Sequence, residues 1–351
     1  MTTFALPEAI IRSPAVEVCV KHLEPTLQVS TLIIESPSIV RLQLDIDGAV
    51  GSGYAWTLDE TEAMHLQHVL LEFLRGLDGQ CIATHELMLA IVRAMPDELE
   101  CRRAQTLIES ALIDAHLIAT DRTLCEALAS HPRPIRVYGS DLYDSQDVEE
   151  ITQIARSYKQ SGFSGIKMRL GRTDLEWAKQ RVMAVREAIG PDTALMVDAV
   201  QGWDLEFCER VMPILEAARL TWLEDPLRFG DNRSLAVLTS WSPIPVCTGE
   251  SCRHTEQVDA LIEAGAPIVM LDIQHLGGLI PTLEVIKRVA AAGRRLTFHV
   301  FPDLAVSLGA GTGVEWVEWA PLWGDCVPTP HPVDGHLLAA AMPGLGIWKS
   351  W

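Results

Sequence analysis

Seven short β-like runs in the last two thirds of the chain each carry an ionisable residue at or near their C-terminal end. In chain order these are Lys167 and Arg169 in GIKMRLG, Asp198 in ALMVDAV, Glu224 in LTWLEDP, Glu250 in IPVCTGE, Asp272 in IVMLDIQ, His299 in RLTFHVF and Glu318 in VEWVEWA. Asp198, Glu224 and Glu250 fall at equal steps along the chain. On adjacent strands they would stand a few ångströms apart, and three unpaired carboxylates cannot all stay ionised without a compensating cation. An oxygen-only set with no Cys or His suits a hard divalent ion, Mg²⁺ first and Mn²⁺ as the alternative. Lys167 and Arg169 alternate with apolar residues, so they point to one side of their strand and can help neutralise the same cluster.

A lone histidine on an apolar strand is commonly a satisfied core residue. Asp272 changes that reading of His299, because it holds the matching position one strand earlier and can accept the second imidazole N–H. Such a pairing fixes the tautomer, raises the basicity of the ring and suits a general base. Glu318 is expected to donate a proton or a hydrogen bond to substrate if burial raises its pKa. Glu315, an equally acidic neighbour, is the competing surface carboxylate.

The elements that must position these residues follow from the rhythm of the chain. From IRVYGS onward, β-like runs alternate with helical stretches such as DLEWAKQRVMAVREAIG and EQVDALIEAG. Repeated βα units predict a parallel sheet, and seven or eight of them predict a (β/α)8-type barrel, here a (β/α)7β variant, whose C-terminal strand ends form the site. An open doubly wound sheet is the alternative, but neither GxGxxG nor GxxxxGK[ST] is present. The first third differs. SIVRLQLDIDGAVGSGYAWT alternates and turns at Asp47-Gly48, predicting a hairpin, and helical patterns follow at 58–77, 83–95 and 98–120. The division is therefore an α+β domain over 1–130, a barrel over 131–325 and a C-terminal segment over 326–351.

The 351 residues carry a formal net charge of −19. That surface repels nucleic acid and anionic membranes, so neither is an expected partner. No run approaches the length of a membrane span, and MTTFALPEAIIRS lacks the basic start and long apolar core of a secretory signal. The eight cysteines, Cys19, Cys81 and Cys125 among them, form no CxxC pair. Buried reduced thiols in a cytoplasmic protein are expected.

The ordered set GIKMRLG, LMVDAVQGW, WLEDP, TGE, LDIQHLGG and FHVF resembles the enolase superfamily, in its mandelate racemase/muconate lactonizing enzyme group. The resemblance spans about residues 134–325 and, more weakly, the N-terminal domain. It implies that Asp198, Glu224 and Glu250 are the metal ligands, that Lys167 and Arg169 occupy the two cationic positions of a KxK strand, and that Asp272 and His299 form the His–Asp dyad of the mandelate racemase branch. Glu318 matches that branch's acidic residue, which hydrogen-bonds the substrate carboxylate as it becomes an enediolate. The lysine of the muconate lactonizing branch is replaced by His275. The resemblance also implies that the N-terminal domain caps the barrel mouth, that the C-terminal tail returns to it, and that Lys21, His22, Tyr54 and Trp56 are candidates for substrate selection. Relatives are commonly symmetric oligomers, so a homo-oligomer is expected.

Two departures from the family pattern bear on the reaction. Val200 stands where most relatives have Asn, removing a polar contact. Arg169 stands where racemases of the group have a lysine that acts as a second base. Deprotonating a guanidinium at neutral pH costs about 7 kcal/mol, so Arg169 is a carboxylate clamp rather than a base. With one competent base, dehydration of a sugar acid to a 2-keto-3-deoxy acid by a lyase is the expected activity. A racemase or epimerase (isomerase) acting on a 2-hydroxy acid, and a metal-binding barrel without turnover, are the alternatives.

Overall fold

The computed structural model describes residues 8–29, 32–75, 81–83, 90, 98–128, 130–326 and 332–347. The helix expected over 83–95 lies outside the described residues, apart from its first residue and position 90. No helix among the described residues is long and apolar enough to cross a membrane.

The N-terminal part is built on β1 (Glu8–Val20), β4 (Ser38–Ile46), β5 (Ala49–Thr57) and β6 (Cys81–Ala83), in the sheet order β5-β4-β1-β6. A separate hairpin pairs β2 (Leu27–Val29) with β3 (Leu32–Ile34). Strands β4 and β5 meet in the expected hairpin, with Ile46 opposite Ala49 and with positive φ at both Asp47 and Gly48. That backbone is what a two-residue turn between right-twisted strands requires. Helices α1 (Glu60–Arg75) and α2 (Leu99–Ala119) cover this sheet. Gly51 and Gly53 let α2 lie directly on β5, since a Cβ at either position would fall 2.0 or 2.3 Å from an α2 carbonyl oxygen.

After the short α3 (Leu124–Ala127), eight parallel strands close on themselves. They are β7 (Ile135–Leu142), β8 (Gly165–Arg169), β9 (Ala194–Asp198), β10 (Trp222–Glu224), β11 (Val246–Thr248), β12 (Ile268–Leu271), β13 (Arg295–Phe298) and β14 (Trp316–Trp319). The intervening helices are α4 (Val148–Gln160), α5 (Leu175–Ile189), α6 (Leu205–Ala217), α7 (Asn232–Trp241), α8 (Thr255–Glu263), α9 (Ile273–Leu276) with α10 (Leu279–Ala291), and α11 (Pro302–Thr312). A 3₁₀ turn, Pro321–Cys326, follows β14, and no eighth barrel helix follows among the described residues. This is the (β/α)7β arrangement. Asp147, Asp174, Asp204 and Asp231 cap four successive helices, each accepting a backbone N–H three residues on.

The barrel interior is layered. Tyr138, Met196, Trp222, Met270 and Trp316 pack together from strands that are mostly not neighbours, so they meet across the lumen. Two residues further along β9, β10 and β14, on the same face, come Asp198, Glu224 and Glu318. A plug of large side chains thus supports a layer of charge at the strands' C-terminal ends.

The tail contacts both the barrel and the N-terminal part. β15 (His336–Leu337) adds antiparallel to β7, and the Leu345 backbone N–H donates to Asp114 Oδ1 of α2 at 2.8 Å. The thiol expectation needs correction. Cys19, at the end of β1, is joined by a disulfide to Cys326 in the 3₁₀ turn after β14. The pairing spans 307 residues of sequence, a separation at which local spacing carries no signal. Cys101, Cys125, Cys208, Cys247 and Cys252 are free and buried, while the Cys81 side chain lies outside the described residues.

Candidate active site

Register places the charged residues. Asp198 of β9 pairs with Arg169 of β8 on one side and Glu224 of β10 on the other. Lys167 is 1% exposed, and its ammonium reaches Glu224 Oε1 at 2.5 Å, Glu318 Oε1 at 2.9 Å and Asp198 Oδ2 at 3.8 Å. Arg169 Nε lies 3.9 Å from Asp198 Oδ2, and its guanidinium stacks 4.6 Å from the Tyr143 ring centre. Trp222 Nε1 donates to Glu224 Oε2 at 3.0 Å, which fixes that carboxylate from below. Glu250 lies two residues beyond β11, and His275 Nδ1 donates to its carbonyl at 2.6 Å.

The dyad is present. His299 follows β13 directly, and its Nδ1 donates to Asp272 Oδ2 at 2.7 Å while Nε2 lies 3.5 Å from Glu250 Oε2. Asp272 is fully buried and caps α9, its Oδ1 accepting from the Gln274 and His275 N–H groups at 2.8 and 3.0 Å. Trp56 of the cap packs edge-on against the His299 ring at 5.6 Å. Its backbone N–H and carbonyl are both taken by the Gln274 side-chain amide.

The electrostatics follow from this crowding. Burial pushes Glu224 well up, Lys167 opposes that, and Asp198, Glu318 and Glu250 add to it. Asp225 beside it is pushed up to about 8 by burial and by Glu250. Burial would lower Lys167 and Arg169, but surrounding anions outweigh it and leave both held above their ordinary values. Burial likewise lowers His299, but Glu250, the Asp272 hydrogen bond and Glu318 raise it to about 10. Asp272 is held low despite burial by His275 and His299.

Glu318 is fully buried, whereas Glu315 is exposed and pairs with Arg136 and Arg295. Burial raises Glu318, yet Lys167, His299, Arg169 and the Ser140 hydroxyl outweigh burial and leave it below the ordinary carboxylate range. It also accepts the Val300 N–H at 3.1 Å. As placed, its neighbours favour the ionised, hydrogen-bond-accepting form.

The residues fit a hard divalent cation by donor chemistry. Asp198, Glu224 and Glu250 offer oxygen donors at or just past the ends of successive strands, and burial, with neighbouring carboxylates adding to it, raises Glu224 and Asp225. As placed, the Lys167 ammonium draws Asp198 and Glu224, and among the described residues no three His, Cys, Asp or Glu side chains converge on one point.

A cavity of about 160 Å³ opens over this layer and is lined by Arg169, Asp198, Glu250, His299 and Glu318. Of the selection candidates, Trp56 lines it. Lys21, His22 and Tyr54 are not among its lining residues, and the Tyr54 hydroxyl donates to buried Asp303 at 2.7 Å. Sequence reasoning missed Tyr143, Trp323 and the β3 residues Leu32 and Ile34, all of which line the cavity. Tyr143 was findable, because it follows β7 at the same rim as the other site residues.

Residues 149–348 match the family model described as enolase C-terminal domain-like. The chain is 29% identical over 250 residues to an L-talarate/galactarate dehydratase of Salmonella typhimurium, a match covering 69% of this chain and 62% of the relative. It is 27% identical over 321 residues to a 3,6-anhydro-alpha-L-galactonate cycloisomerase of Streptomyces coelicolor, covering 88% of this chain and 87% of the relative. A solved enolase structure from Bradyrhizobium, complexed with magnesium and mandelic acid, superposes with a TM-score of 0.86 at 25% identity over 98% of this chain and 96% of that one. The closed barrel with its cap, the layered rim and the matched segment together make this chain a member of the enolase superfamily, in its mandelate racemase/muconate lactonizing enzyme group.

Proposed function

We propose that the protein removes the α-proton of a carboxylate substrate and expels a β-hydroxyl as water, with Mg²⁺, or Mn²⁺ in its place, held by Asp198, Glu224 and Glu250. The observation that carries this reading is an asymmetry of proton carriers. Among the described residues that line the cavity, His299, held by Asp272, is the one imidazole, and the cation that lines it, Arg169, is a guanidinium rather than an amine. The magnesium in the Bradyrhizobium structure and the dehydratase from Salmonella support the same reading.

The bound cation supplies Lewis-acid stabilisation of the charge that gathers on the substrate carboxylate. Lys167 and Arg169 add positive charge beside that carboxylate, and Arg169 offers a planar fork for it. Asp272 keeps one imidazole proton on Nδ1, and a divalent cation on Glu250 would offset the carboxylate that raises His299, leaving Nε2 free to take the α-proton. The Cα–H pair becomes the new C=C bond, the Cβ–O bond breaks, and His299 returns its proton to the departing hydroxyl. The enol product then tautomerises to a 2-keto-3-deoxy acid. Glu318 holds Lys167 in place and contributes no proton. Inversion of configuration would need a second base on the opposite face, and Arg169 stays charged there.

The test is α-proton exchange in D₂O with Mg²⁺ and a panel of 2,3-dihydroxy acids. Exchange accompanied by keto-acid formation, lost in His299→Asn, is the expected result. Exchange with inversion and no water loss would replace dehydration by racemisation. Absence of exchange with every acid, alongside tight Mg²⁺ binding, would leave a barrel that binds without turning over.

A further inference from the structure

Polarity is divided across the cavity. The ionisable groups lie together at the strand ends, whereas the rest of the lining includes, among the described residues, Leu32, Ile34 and Leu58 of the cap side, Val200 and Val300 of the rim, and Leu322 after β14. Of the two indoles in this lining, Trp323 donates its N–H to the Thr57 carbonyl at 3.2 Å, and Trp56 Nε1 is a single buried donor without a protein partner. A hydroxyl placed against such a wall gives up its water hydrogen bonds without replacement. Beyond the ionisable groups, Trp56 Nε1 and the Tyr143 hydroxyl are too few to satisfy a chain of them.

Backbone strain points the same way. Val200 and Val300 have φ of 50° and 54°, and both line the cavity. A β-branched residue in the left-handed region is a genuine outlier, and such strain persists where the surroundings or the function hold it. The two valines sit two residues after Asp198 and directly after His299, so each puts an isopropyl group beside a reacting position.

We infer that the substrate carries a compact apolar group, branched aliphatic or aryl, on Cβ, the carbon that loses its hydroxyl, and no hydroxyls beyond the one at Cα and the one expelled. The inference rests on the α-proton reading above and deepens it. The cavity, at about 160 Å³, takes in the charged rim as well as the apolar residues, so whatever lies beyond the carboxylate has to be compact. The elimination balances as before: His299 takes the α-proton, the Cβ–O bond breaks, and water leaves a 2-keto acid that bears the apolar group at C3.

The experiment compares 2,3-dihydroxy-3-phenylpropanoate and 2,3-dihydroxy-4-methylpentanoate with galactarate and gluconate, all with Mg²⁺. It reads kcat/KM for keto-acid formation, α-deuterium exchange, and binding by calorimetry. The expected result is at least a tenfold preference for the two apolar acids. Ile34→Asn and Val200→Asn, made separately, should each move that ratio at least tenfold toward the polyhydroxy acids. Equal or better use of galactarate or gluconate, with exchange still dependent on His299, would overturn the apolar inference and leave the α-proton reading standing. Exchange with none of the four would overturn both.

Discussion

Asp272 holds His299 with one carboxylate oxygen, 2.7 Å from Nδ1, and anchors itself with the other, which accepts the N–H groups of Gln274 and His275. The dyad is therefore orientated by the first turn of α9, not by a flexible loop. Asp272→Asn keeps the shape but can present an N–H to Nδ1 and favour the wrong tautomer. The expected loss in α-proton exchange is about 10²–10⁴-fold, with Mg²⁺ binding retained. Exchange within threefold of the parent would show that another group orientates the imidazole.

Arg169→Lys tests the assignment of a single base. An ammonium titrates about 2–3 units below a guanidinium in the reference state, and so becomes available as a base when desolvated. The variant should acquire measurable α-inversion or exchange from the opposite face, read by chiral chromatography, while its dehydration rate falls. A variant that remains single-faced would mean that the position does not approach the α-carbon.

The strain at Val200 has a signature independent of packing. Elsewhere Gly is usually less stable than Ala by about 0.5–1 kcal/mol, but at a left-handed position the order reverses. With φ of 50° at this residue, Val200→Gly should be more stable than Val200→Ala. A difference of about 1 kcal/mol, measured by urea unfolding, is expected. Equal stabilities would place residue 200 outside the left-handed region in solution.

Glu109 of α2 couples the cap to the barrel. Its Oε1 accepts the Ile280 N–H at 3.1 Å, its Oε2 is buried without a partner, and burial pushes its pKa to about 8 despite the backbone N–H groups that oppose the rise. From about 4.3, the reference value, up to that raised value, the folded state keeps a proton that the unfolded state has lost. Stability contributed here is thus present at low pH and declines as pH climbs toward 8. Glu109→Gln should flatten that decline, melting above the parent at pH near 8.5 and close to it near pH 5. Asp303, raised to about 6 by burial, keeps a smaller slope of its own in both proteins. Parallel pH profiles for the two proteins would mean that Glu109 is ionised in the fold.

The barrel was legible because its inward positions pair a large side chain with a charge two residues later: Met196 with Asp198, Trp222 with Glu224, Trp316 with Glu318. Period-two alternation survives in a single sequence, and so does the equal spacing of the carboxylates. The surroundings of Glu318 were not legible, because Lys167, Arg169 and His299 arrive from other strands. The cavity wall was hidden for another reason. Leu32, Ile34 and Leu322 look like any core residues until the cap is set over the barrel mouth. The left-handed backbone at Val200 and Val300 runs against the preference of valine, so propensity pointed away from it.

The Cys19–Cys326 link fastens the cap to the segment after the last barrel strand, and Trp323, three residues before Cys326, lines the cavity. Arg41 of the cap also donates to the Cys326 carbonyl, and Trp323 to that of Thr57. A cap riveted at this edge cannot swing clear of the barrel as one body. The same link holds Trp323 against Trp56 of the cap, 5.3 Å between ring centres, at the edge of the cavity.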